Sequence, residues 1–274
     1  MPRLHSPLAV LVAFIFIAGA CIDGSNDRAE VNGVAGAREE ATVVGGAGEE
    51  PTVVPTQPPA GPQALLPDLV VRQPGELYIQ AGDDGVREIR FSTSVANLGE
   101  GPLEMLGVYE EATGKTLASQ RILHVDGSTV EREIGRFVFH PDHEHWHFED
   151  FTVFELWSVD DDNEPADLVA TTGKLTFCLV DAYPVDDPLP NGVAEPALLE
   201  CHSDVQGLSA GWEETYEADF PGQELDIPEV PDGTYAVRQV IDPDGRVSEM
   251  DTTNNESLVL VSISGSEIVV LEEL

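Results

Sequence analysis

The stretch "REIRFSTSVANLG", residues 87–99, decides the fold class of this protein. Its apolar and polar residues alternate, which is typical of a β-strand with one buried face, and the pattern stops at a turn-forming Asn-Leu-Gly. Five downstream segments repeat the pattern, with Asp-Gly or Pro-Asp-Gly between several of them: "GRFVFH", "FTVFELWSV", "KLTFCLV", "GTYAVRQVID" and "LVLVSI". No long window shows a helical period. The sequence therefore predicts an all-β fold, a predominantly antiparallel β-sandwich with long loops.

The first residues of the chain indicate export. An apolar run that starts at Leu8 follows Arg3 and leads to small residues before Cys21, which is typical of a signal peptide over residues 1–21. The ending "AGAC" is similar to a bacterial lipobox, whose cysteine is acylated, although Ala18 stands where Leu is usual. We therefore expect an exported protein, either a cell-surface lipoprotein anchored through Cys21 or a secreted protein in which Cys21 is a plain thiol.

Residues 22–66 separate this signal from the strand-rich region. They are rich in Gly, Ala, Glu, Pro and Thr and contain no aromatic residue. Such a composition cannot bury enough apolar surface to offset the entropy of ordering the chain. We expect a flexible acidic linker over 22–66 and one folded domain over 67–274, because all-β folds of this size commonly form a single unit.

The chain is strongly acidic. It carries 51 Asp and Glu against 13 Lys and Arg, a formal net charge of -38. This charge repels nucleic acid and anionic lipid headgroups and attracts cations, organic amines among them. We expect no nucleic-acid partner, and a membrane contact only through a lipid anchor at Cys21. Composition alone equally fits a surface that is merely kept solvated in a salt-rich habitat.

Cysteine use is sparse. With Cys21 assigned to the lipid, only Cys178 and Cys201 remain. In an exported, oxidising setting this pair favours a disulfide, and two buried free thiols are the alternative.

The segment "HPDHEHWHFEDF", residues 140–151, contains four of the seven histidines of the chain. His143, His145 and His147 have a spacing that places all three on one face of an extended strand. Four extended residues cover about 13 Å, so a bend or bulge is needed before the three can share one ion. Neutral imidazoles suit Cu, Zn, Fe or Ni, and an open tetragonal position favours Cu(II). The alternative is an exposed polar face of unligated histidines.

Other residues of this segment have supporting roles in the same hypothesis. His140 is interpreted as a structural or supporting residue rather than a ligand. Four nearby carboxylates are expected to orient the imidazoles through their second nitrogens: Asp142, Glu144, Glu149 and Asp150.

The histidine segment is followed by "GKLTFCLVD", "CHSDVQGLSAGWEETYEADFPGQELDI" and "VPDGTYAVRQVIDPDGRVSEMDTTNN". In this order the motifs resemble the catalytic domain of the lysyl oxidase family, from about Pro67 to about Ile263. The resemblance implies copper on His143, His145 and His147.

The resemblance also implies a self-derived cofactor, lysine tyrosylquinone, formed by cross-linking a lysine to an oxidised tyrosine. The matching positions are Lys174 and Tyr216. The chain has only two lysines, Lys115 and Lys174, and one of them falls at the family position.

The activity that the resemblance implies is oxidative deamination of a primary amine, peptidyl lysine among the options. Dioxygen is consumed, and an aldehyde, hydrogen peroxide and ammonia are released. A carboxylate near Tyr216 should act as the general base, and Glu214 and Asp219 are the nearest in sequence.

The resemblance further implies a calcium site that joins the domain start to a late loop. Hard oxygen ligands at both ends suit calcium. The implied ligands are Asp68, the Leu69 carbonyl, Glu249, Asp251, Asn254 and Asn255. An Asn-rich turn with ordinary side-chain hydrogen bonds is the alternative.

Some positions depart from the family pattern. Asp142 stands where the family has a cysteine beside the copper histidines, and Phe137 and Phe139 replace a pair of tryptophans. These changes put the shape of the substrate groove in doubt, and the sequence does not identify the amine.

Two other functions compete with the amine oxidase. One is a non-catalytic extracellular metal-binding or adhesive β-sandwich, because the closing segment also looks like bacterial cell-adhesion domains of immunoglobulin type. The other is a cupin-type dioxygenase, which would need a downstream Gly-rich motif ending in histidine, and His202 has no such context.

Overall fold

The computed structural model describes residues 62–273. Within this range the chain forms sixteen strands and no helix. The strands are β1 (Ala64–Leu65), β2 (Leu69–Val71), β3 (Gly75–Ala81), β4 (Arg87–Asn97), β5 (Leu103–Glu110), β6 (Lys115–His124), β7 (Thr129–His140), β8 (His145–Val159), β9 (Pro165–Phe177), β10 (Tyr183–Pro184), β11 (Val205–Leu208), β12 (Trp212–Tyr216), β13 (Glu224–Asp226), β14 (Gly233–Ile241), β15 (Glu256–Ser264) and β16 (Glu267–Glu273).

The strands form two antiparallel sheets. The ten-stranded sheet has the order β11-β5-β6-β7-β8-β14-β15-β16, with β1 on β6 and β9 on β8. The six-stranded sheet has the order β10-β12-β4-β13, with β2 and β3 also on β4. Every strand pair is antiparallel. The predicted all-β, antiparallel fold is confirmed.

The segment that predicted the fold is the central strand of the smaller sheet. In β4 the apolar side chains of Ile89, Phe91 and Val95 are buried as expected. Arg90, expected to face solvent, is buried as well and donates through Nε to the Ala218 carbonyl at 2.7 Å. Its guanidinium also donates to the Phe220 carbonyl at 2.8 Å, so the segment between β12 and β13 covers this side chain.

Two apolar clusters fill the space between the sheets. One joins Leu69 and Val95 of the smaller sheet to Met105 and Phe148 of the larger one. The other is organised around Phe91 and Phe154, whose ring centroids lie 4.5 Å apart in an edge-to-face arrangement. Each such buried side chain contributes about 1.5–3 kcal/mol by leaving water. The interface between the sheets is therefore the core of a β-sandwich.

A disulfide joins Cys178 and Cys201, with α carbons 5.7 Å apart. It connects the residue after β9 to the long segment before β11. The Cys201 carbonyl accepts a hydrogen bond from the backbone N–H of Trp146 at 3.0 Å. The predicted pairing is confirmed, and the disulfide also fixes the start of β8, where two of the predicted metal ligands lie.

The amino-terminal predictions fall largely outside the described residues. The signal peptide, Cys21 and most of the linker precede residue 62. Both residues of strand β1, Ala64 and Leu65, pair with β6. The folded domain therefore begins before Pro67, where the sequence predicted its start. None of the described residues belongs to a helix long and apolar enough to cross a membrane.

Candidate metal centre and its surroundings

Three histidines converge at the hairpin between β7 and β8. His143 lies in the turn, and His145 and His147 lie at the start of β8. Glu144 between them has a φ of 58°, a left-handed conformation that is uncommon outside glycine and bends the chain. One nitrogen from each histidine lies within 4.8 Å of the others. The bend required by the sequence argument is confirmed.

Hydrogen bonds fix the tautomers of two of these rings. His143 donates from Nε2 to the Pro221 carbonyl at 3.1 Å, and His147 donates from Nδ1 to the Thr176 carbonyl at 3.2 Å. A carbonyl oxygen can only accept, so these nitrogens carry the hydrogens. The remaining nitrogens, Nδ1 of His143 and Nε2 of His147, face each other at 3.1 Å with lone pairs. Two facing lone pairs repel unless a cation lies beside them.

The same rings resist protonation. Burial, followed by the neighbouring histidines, lowers the pKa of His147 to about 3. Burial also lowers the pKa of His143 and of His145. Nε2 of His145 is buried and has no hydrogen-bond partner among the described residues. At neutral pH the hairpin therefore offers three neutral imidazoles, which is the donor set that a transition metal takes and a proton does not.

The expectation that carboxylates orient the imidazoles is wrong for His143 and His147. A backbone carbonyl and a threonine take that role, with Thr176 Oγ1 also 3.0 Å from Nδ1 of His147. Glu149 is engaged elsewhere, since it accepts from Nε of Arg136 at 2.8 Å and lies 3.9 Å from Nη1 of Arg246. In a chain with few cations, two arginines on one carboxylate compete successfully with a neutral histidine.

His140 packs against this group of rings. Its ring centroid lies 4.4 Å from that of His143 and 4.7 Å from that of His147, with the second pair stacked. Its Nδ1 is buried and has no partner in the described part of the chain.

Tyr216, at the end of β12, lies beside the histidines. Its ring centroid is 6.2 Å from that of His143, 6.4 Å from that of His147 and 4.0 Å from that of Phe177. The hydroxyl accepts from the backbone N–H of Cys178 at 3.1 Å. Burial raises the pKa of this hydroxyl well above its usual value. Tyr216 thus stays a neutral phenol.

A small cavity of about 40 Å³ lies between these side chains. Tyr216, His143 and His147 contribute to its lining together with Thr176 and Phe177. The volume is enough for a molecule the size of water. The histidine rings and the tyrosine ring therefore line the same small cavity.

Lys174 does not reach this space in the structure. It lies on β9, and its Nζ contacts Oδ1 of Asp244 at 2.5 Å, where both side chains are about two-fifths exposed. Asp244 belongs to the loop that follows β14. The structure thus brings Tyr216 to the histidines and leaves the Lys174 amine elsewhere.

Of the two candidate bases, Glu214 is the one that approaches Tyr216. Both side chains point inward from β12, and both bind the segment after β9: Glu214 accepts from the backbone N–H of Val180 at 3.3 Å. Burial, aided by the charge of Asp181, raises the pKa of Glu214 to about 8. Asp219 lines a different cavity and is exposed.

That second cavity adjoins the first and is larger, about 660 Å³. The two share Leu175, Pro221 and Gly222 in their walls. Six carboxylates line the larger cavity: Asp83, Asp84, Glu88, Asp219, Glu224 and Asp226. Among the described residues that line it, Arg90 is the one cation, and its Nη1 already contacts Glu224 at 2.9 Å. The cavity therefore has a strongly negative wall next to the histidine site.

Most of the oxygen ligands expected for calcium come together between the start of β2 and the loop before β15. Asn254 donates from Nδ2 to Asp68 at 2.8 Å, and Asn255 donates from Nδ2 to Glu249 at 2.7 Å. Leu69 takes part through its N–H, which donates to Glu249 at 3.1 Å. Asp251 caps the turn by accepting from Thr253.

This cluster has unused oxygen atoms. Oδ1 of Asn254 and Oδ1 of Asn255 are buried, and neither has a hydrogen-bond partner among the described groups. Burial, outweighing its hydrogen bonds, raises the pKa of Glu249 to about 7. The donor set fits a hard cation.

Sequence reasoning missed several contributors to the histidine site. Thr176 and the Pro221 carbonyl orient the rings, and Phe177 packs on Tyr216. Gln206 donates from Nε2 to the carbonyls of Trp146 and His202, both at 2.8 Å, and so joins the start of β8 to the segment before β11. The alternating pattern of "KLTFCLV" indicated the strand that carries Thr176, but no local signal marks the other contacts.

The fold and site together define a class, an antiparallel β-sandwich with three converging histidines that could hold a metal ion next to a buried tyrosine. The lysyl oxidase family model matches residues 119–272, which is more than half of the chain and includes all of these residues. The chain belongs to the lysyl oxidase family. That family is known for copper and a lysine tyrosylquinone cofactor.

Curated relatives give the same result. The chain is 31% identical over 141 residues to lysyl oxidase homolog 3A of Danio rerio, covering 50% of this chain and 18% of that protein. It is 33% identical over 118 residues to lysyl oxidase homolog 1 of Homo sapiens, covering 43% of this chain and 19% of that protein. The chain thus spans less than a fifth of the length of these relatives.

Proposed function

We propose that this protein is a copper-dependent amine oxidase of the lysyl oxidase type. The observation that carries the proposal is the pair of facing, unprotonated nitrogens of His143 and His147 beside the Tyr216 ring. Family membership supports an amine oxidase, and the neutral three-histidine donor set supports copper over a hard cation. Copper and the quinone supply the electron acceptor for amine oxidation, which no natural side chain provides.

The protein's own residues have separate roles in this proposal. His143, His145 and His147 hold the copper, with their rings fixed by Pro221 and Thr176. Glu214 takes the proton from the carbon next to the substrate nitrogen, because a buried carboxylate with a raised pKa is a stronger base than an exposed one. The small cavity excludes bulk water from Tyr216.

The two residues proposed to form the quinone differ in how well their positions support it. Tyr216 supports the proposal, because its ring lies beside the proposed metal ligands. Lys174 does not, because its amine contacts Asp244.

The substrate is proposed to be a primary amine, either a small cationic amine or a lysine side chain of a protein. The larger cavity supports this, because its carboxylates attract an ammonium group toward the shared wall at Leu175, Pro221 and Gly222. Dioxygen is the second substrate. The products are an aldehyde, ammonia and hydrogen peroxide.

A structural calcium ion is proposed at the second cluster, held by Asp68, Glu249, Asn254 and Asn255. The buried, unpartnered amide oxygens support it. Asp251 and the carbonyl of Leu69 are proposed as completing ligands. In this role calcium joins β2 to the loop before β15.

The protein is proposed to act outside the cell, as a lipoprotein anchored at Cys21 or as a secreted protein. The disulfide supports an oxidising compartment. Mass analysis of the mature amino terminus distinguishes the two forms, because an acylated Cys21 would carry the added lipid mass.

The test is peptide mass spectrometry on protein expressed with copper in air. We expect a covalent link between the peptides that hold Lys174 and Tyr216, and peroxide release from primary amines. Lys174→Ala and Tyr216→Phe are the matched controls, and both should lack the link and the activity. Copper-loaded protein with neither a link nor peroxide release would exclude the amine oxidase.

That negative result would favour the second candidate, a non-catalytic extracellular metal-binding or adhesive module. The observation in its favour is the position of Lys174, which is paired with Asp244 instead of lying at Tyr216.

A further inference from the structure

The Lys174 amine and the Tyr216 ring must meet if the proposed quinone is to form, yet the structure separates them. Tyr216 packs on Phe177, three residues after Lys174 on β9. Three residues of strand cover about 10 Å. Lys174 shares a strand face with Thr176, which contacts His147, so its side chain can turn toward the histidine site. In the structure it points to Asp244.

The loop that carries Asp244 is well fixed. Asp242 accepts from the backbone N–H groups of Arg246 at 2.9 Å and of Val247 at 2.8 Å, which closes the turn around Asp244. Nη2 of Arg246 donates to the carbonyls of Glu149 and Asp150, which ties the loop to β8. The carboxylate that binds Lys174 therefore belongs to a rigid support, so release requires the lysine to move.

We infer that Asp244 is a positioning residue that holds the Lys174 amine away from Tyr216 until the cross-link forms. The inference rests on the proposed function and adds to it a control over cofactor formation. Asp244 thus delays the reaction by position, because its contact with Nζ directs the lysine side chain away from the ring.

The overall reaction that Asp244 delays is balanced with dioxygen as the oxidant. A bond forms between Nζ of Lys174 and a ring carbon of Tyr216, and the ring gains one oxygen atom. Two dioxygen molecules are consumed, and one water and one hydrogen peroxide leave with the hydrogens of the amine and the ring.

The strength of the effect follows from exposure. Both partners are about two-fifths exposed. An ion pair between such groups favours the paired position of the lysine over the released position by a factor of about two to five. Asp244 should therefore slow the cross-link by this factor without preventing it.

The experiment measures cross-linking over time after Cu(II) is added in air to protein purified without copper. We expect Asp244→Asn to form the linked peptide about two- to fivefold faster than wild type, and Asp244→Glu to restore the slow rate. Glu104→Gln is the matched control, because it removes an exposed ion pair of similar geometry with Arg121 at 3.0 Å. A rate in Asp244→Asn equal to or below that of wild type would overturn the inference.

A second readout does not depend on the quinone. The chain has two lysines, so acylation of Lys174 by an activated ester can be measured against Lys115 in the same copper-free molecule. Asp244→Asn should raise the ratio of Lys174 to Lys115 labelling, and an unchanged ratio would contradict the inference. If no variant ever cross-links, the proposed oxidase fails, while the labelling ratio still decides whether Asp244 restrains the lysine.

Discussion

His143 and His147 of the candidate metal centre each have one nitrogen bonded to the protein and one directed at the other ring. His143 and His147 give their hydrogens to a carbonyl at the back of the site, so their lone pairs face inward. This arrangement is costly without a cation and favourable with one. Metal affinity should therefore depend on each ring individually.

Replacing His145 by alanine should lower Cu(II) affinity by more than about 100-fold, beyond what is typical for groups that only orient a ligand. Isothermal titration of copper into the copper-free protein measures the loss. His124→Ala, at the end of β6 near Ser128, is the control and should bind copper like wild type. Equal affinity in the two variants would rule out His145 as a ligand.

Glu214→Gln should lower kcat by about 100-fold or more, which is the usual contribution of a general base. The base acts when deprotonated, and burial raises its pKa to about 8, so wild-type kcat should rise as pH increases through about 8. The variant should lack this rise. Steady-state peroxide assays from pH 6 to about 10 provide the profile.

The exposed neighbour Glu217 supplies the control, since Glu217→Gln should keep both kcat and the profile. If Asp219→Asn loses the alkaline rise and Glu214→Gln keeps it, the base is Asp219.

Thermal unfolding gives a second check on Glu214. Its raised pKa means that the folded state holds a proton that the unfolded state releases, so stability falls as pH rises from about 4 to about 8. The glutamine variant should not show that part of the decline.

Among the elements, the β7–β8 hairpin shows how much of the site can be predicted from the sequence. The spacing of His143, His145 and His147 predicted both the common site and the need for a bend, because a strand alternates its side chains with a fixed period. The pattern of residues 87–99 predicted β4. These are local properties, and local periods and turns can be read from one segment alone.

The contacts that complete the site could not be predicted in this way. His143 binds the Pro221 carbonyl 78 residues away, and Lys174 binds Asp244 70 residues away. Such partners depend on the order of strands in the sheets, which alternation does not reveal. The burial of Arg90 is of the same kind, because nothing in β4 itself indicates that the segment between β12 and β13 covers this side chain.

The segments around Glu249 are another case in which separate elements depend on one another. Calcium at about 100 times its dissociation constant should raise the melting temperature by about 5–10 °C. Glu249→Gln should remove most of this shift, because it deletes a partly buried carboxylate whose two hydrogen bonds already orient it toward the site. Differential scanning fluorimetry with calcium and with a chelator measures it.

Asp126→Asn is the matched control for the calcium experiment. Asp126 caps an exposed turn by accepting from Ser128, as Asp251 does from Thr253, but lies in the β6–β7 loop. It should leave the calcium shift unchanged. If neither calcium nor a chelator changes the melting temperature of the wild-type protein, the cluster is an ordinary hydrogen-bonded turn and not a calcium site.

At the scale of the whole molecule, the negative charge is the feature expected to govern how substrates approach. The whole chain carries a formal charge of -38, and the cavity next to the histidine site is itself lined by carboxylates. Field lines from such a surface raise the local concentration of cations, and dissolved salt screens them beyond about 10 Å at 0.1 M. Amine capture should therefore depend on ionic strength.

We expect kcat/KM for a polyamine to fall by about tenfold or more between low and high salt, and that for a singly charged amine to fall less. Replacing Asp83 and Asp84 together by asparagine should weaken the dependence. The same double change at Asp161 and Asp162, in the turn between β8 and β9, is the control for charge alone. A kcat/KM for the polyamine that does not change with salt would rule out electrostatic capture.

The contact between Asp68 and Asn254 has a consequence for how the chain reaches its fold. The two residues are 186 positions apart, and Leu69 and Glu249 are 180 apart. Closing so long a loop is slow, and it is impossible until the late partner has been synthesised. A nascent chain that ends before Asn254 cannot complete the domain. The last step of folding should therefore be post-translational, after the segment that carries Asn254 has been released.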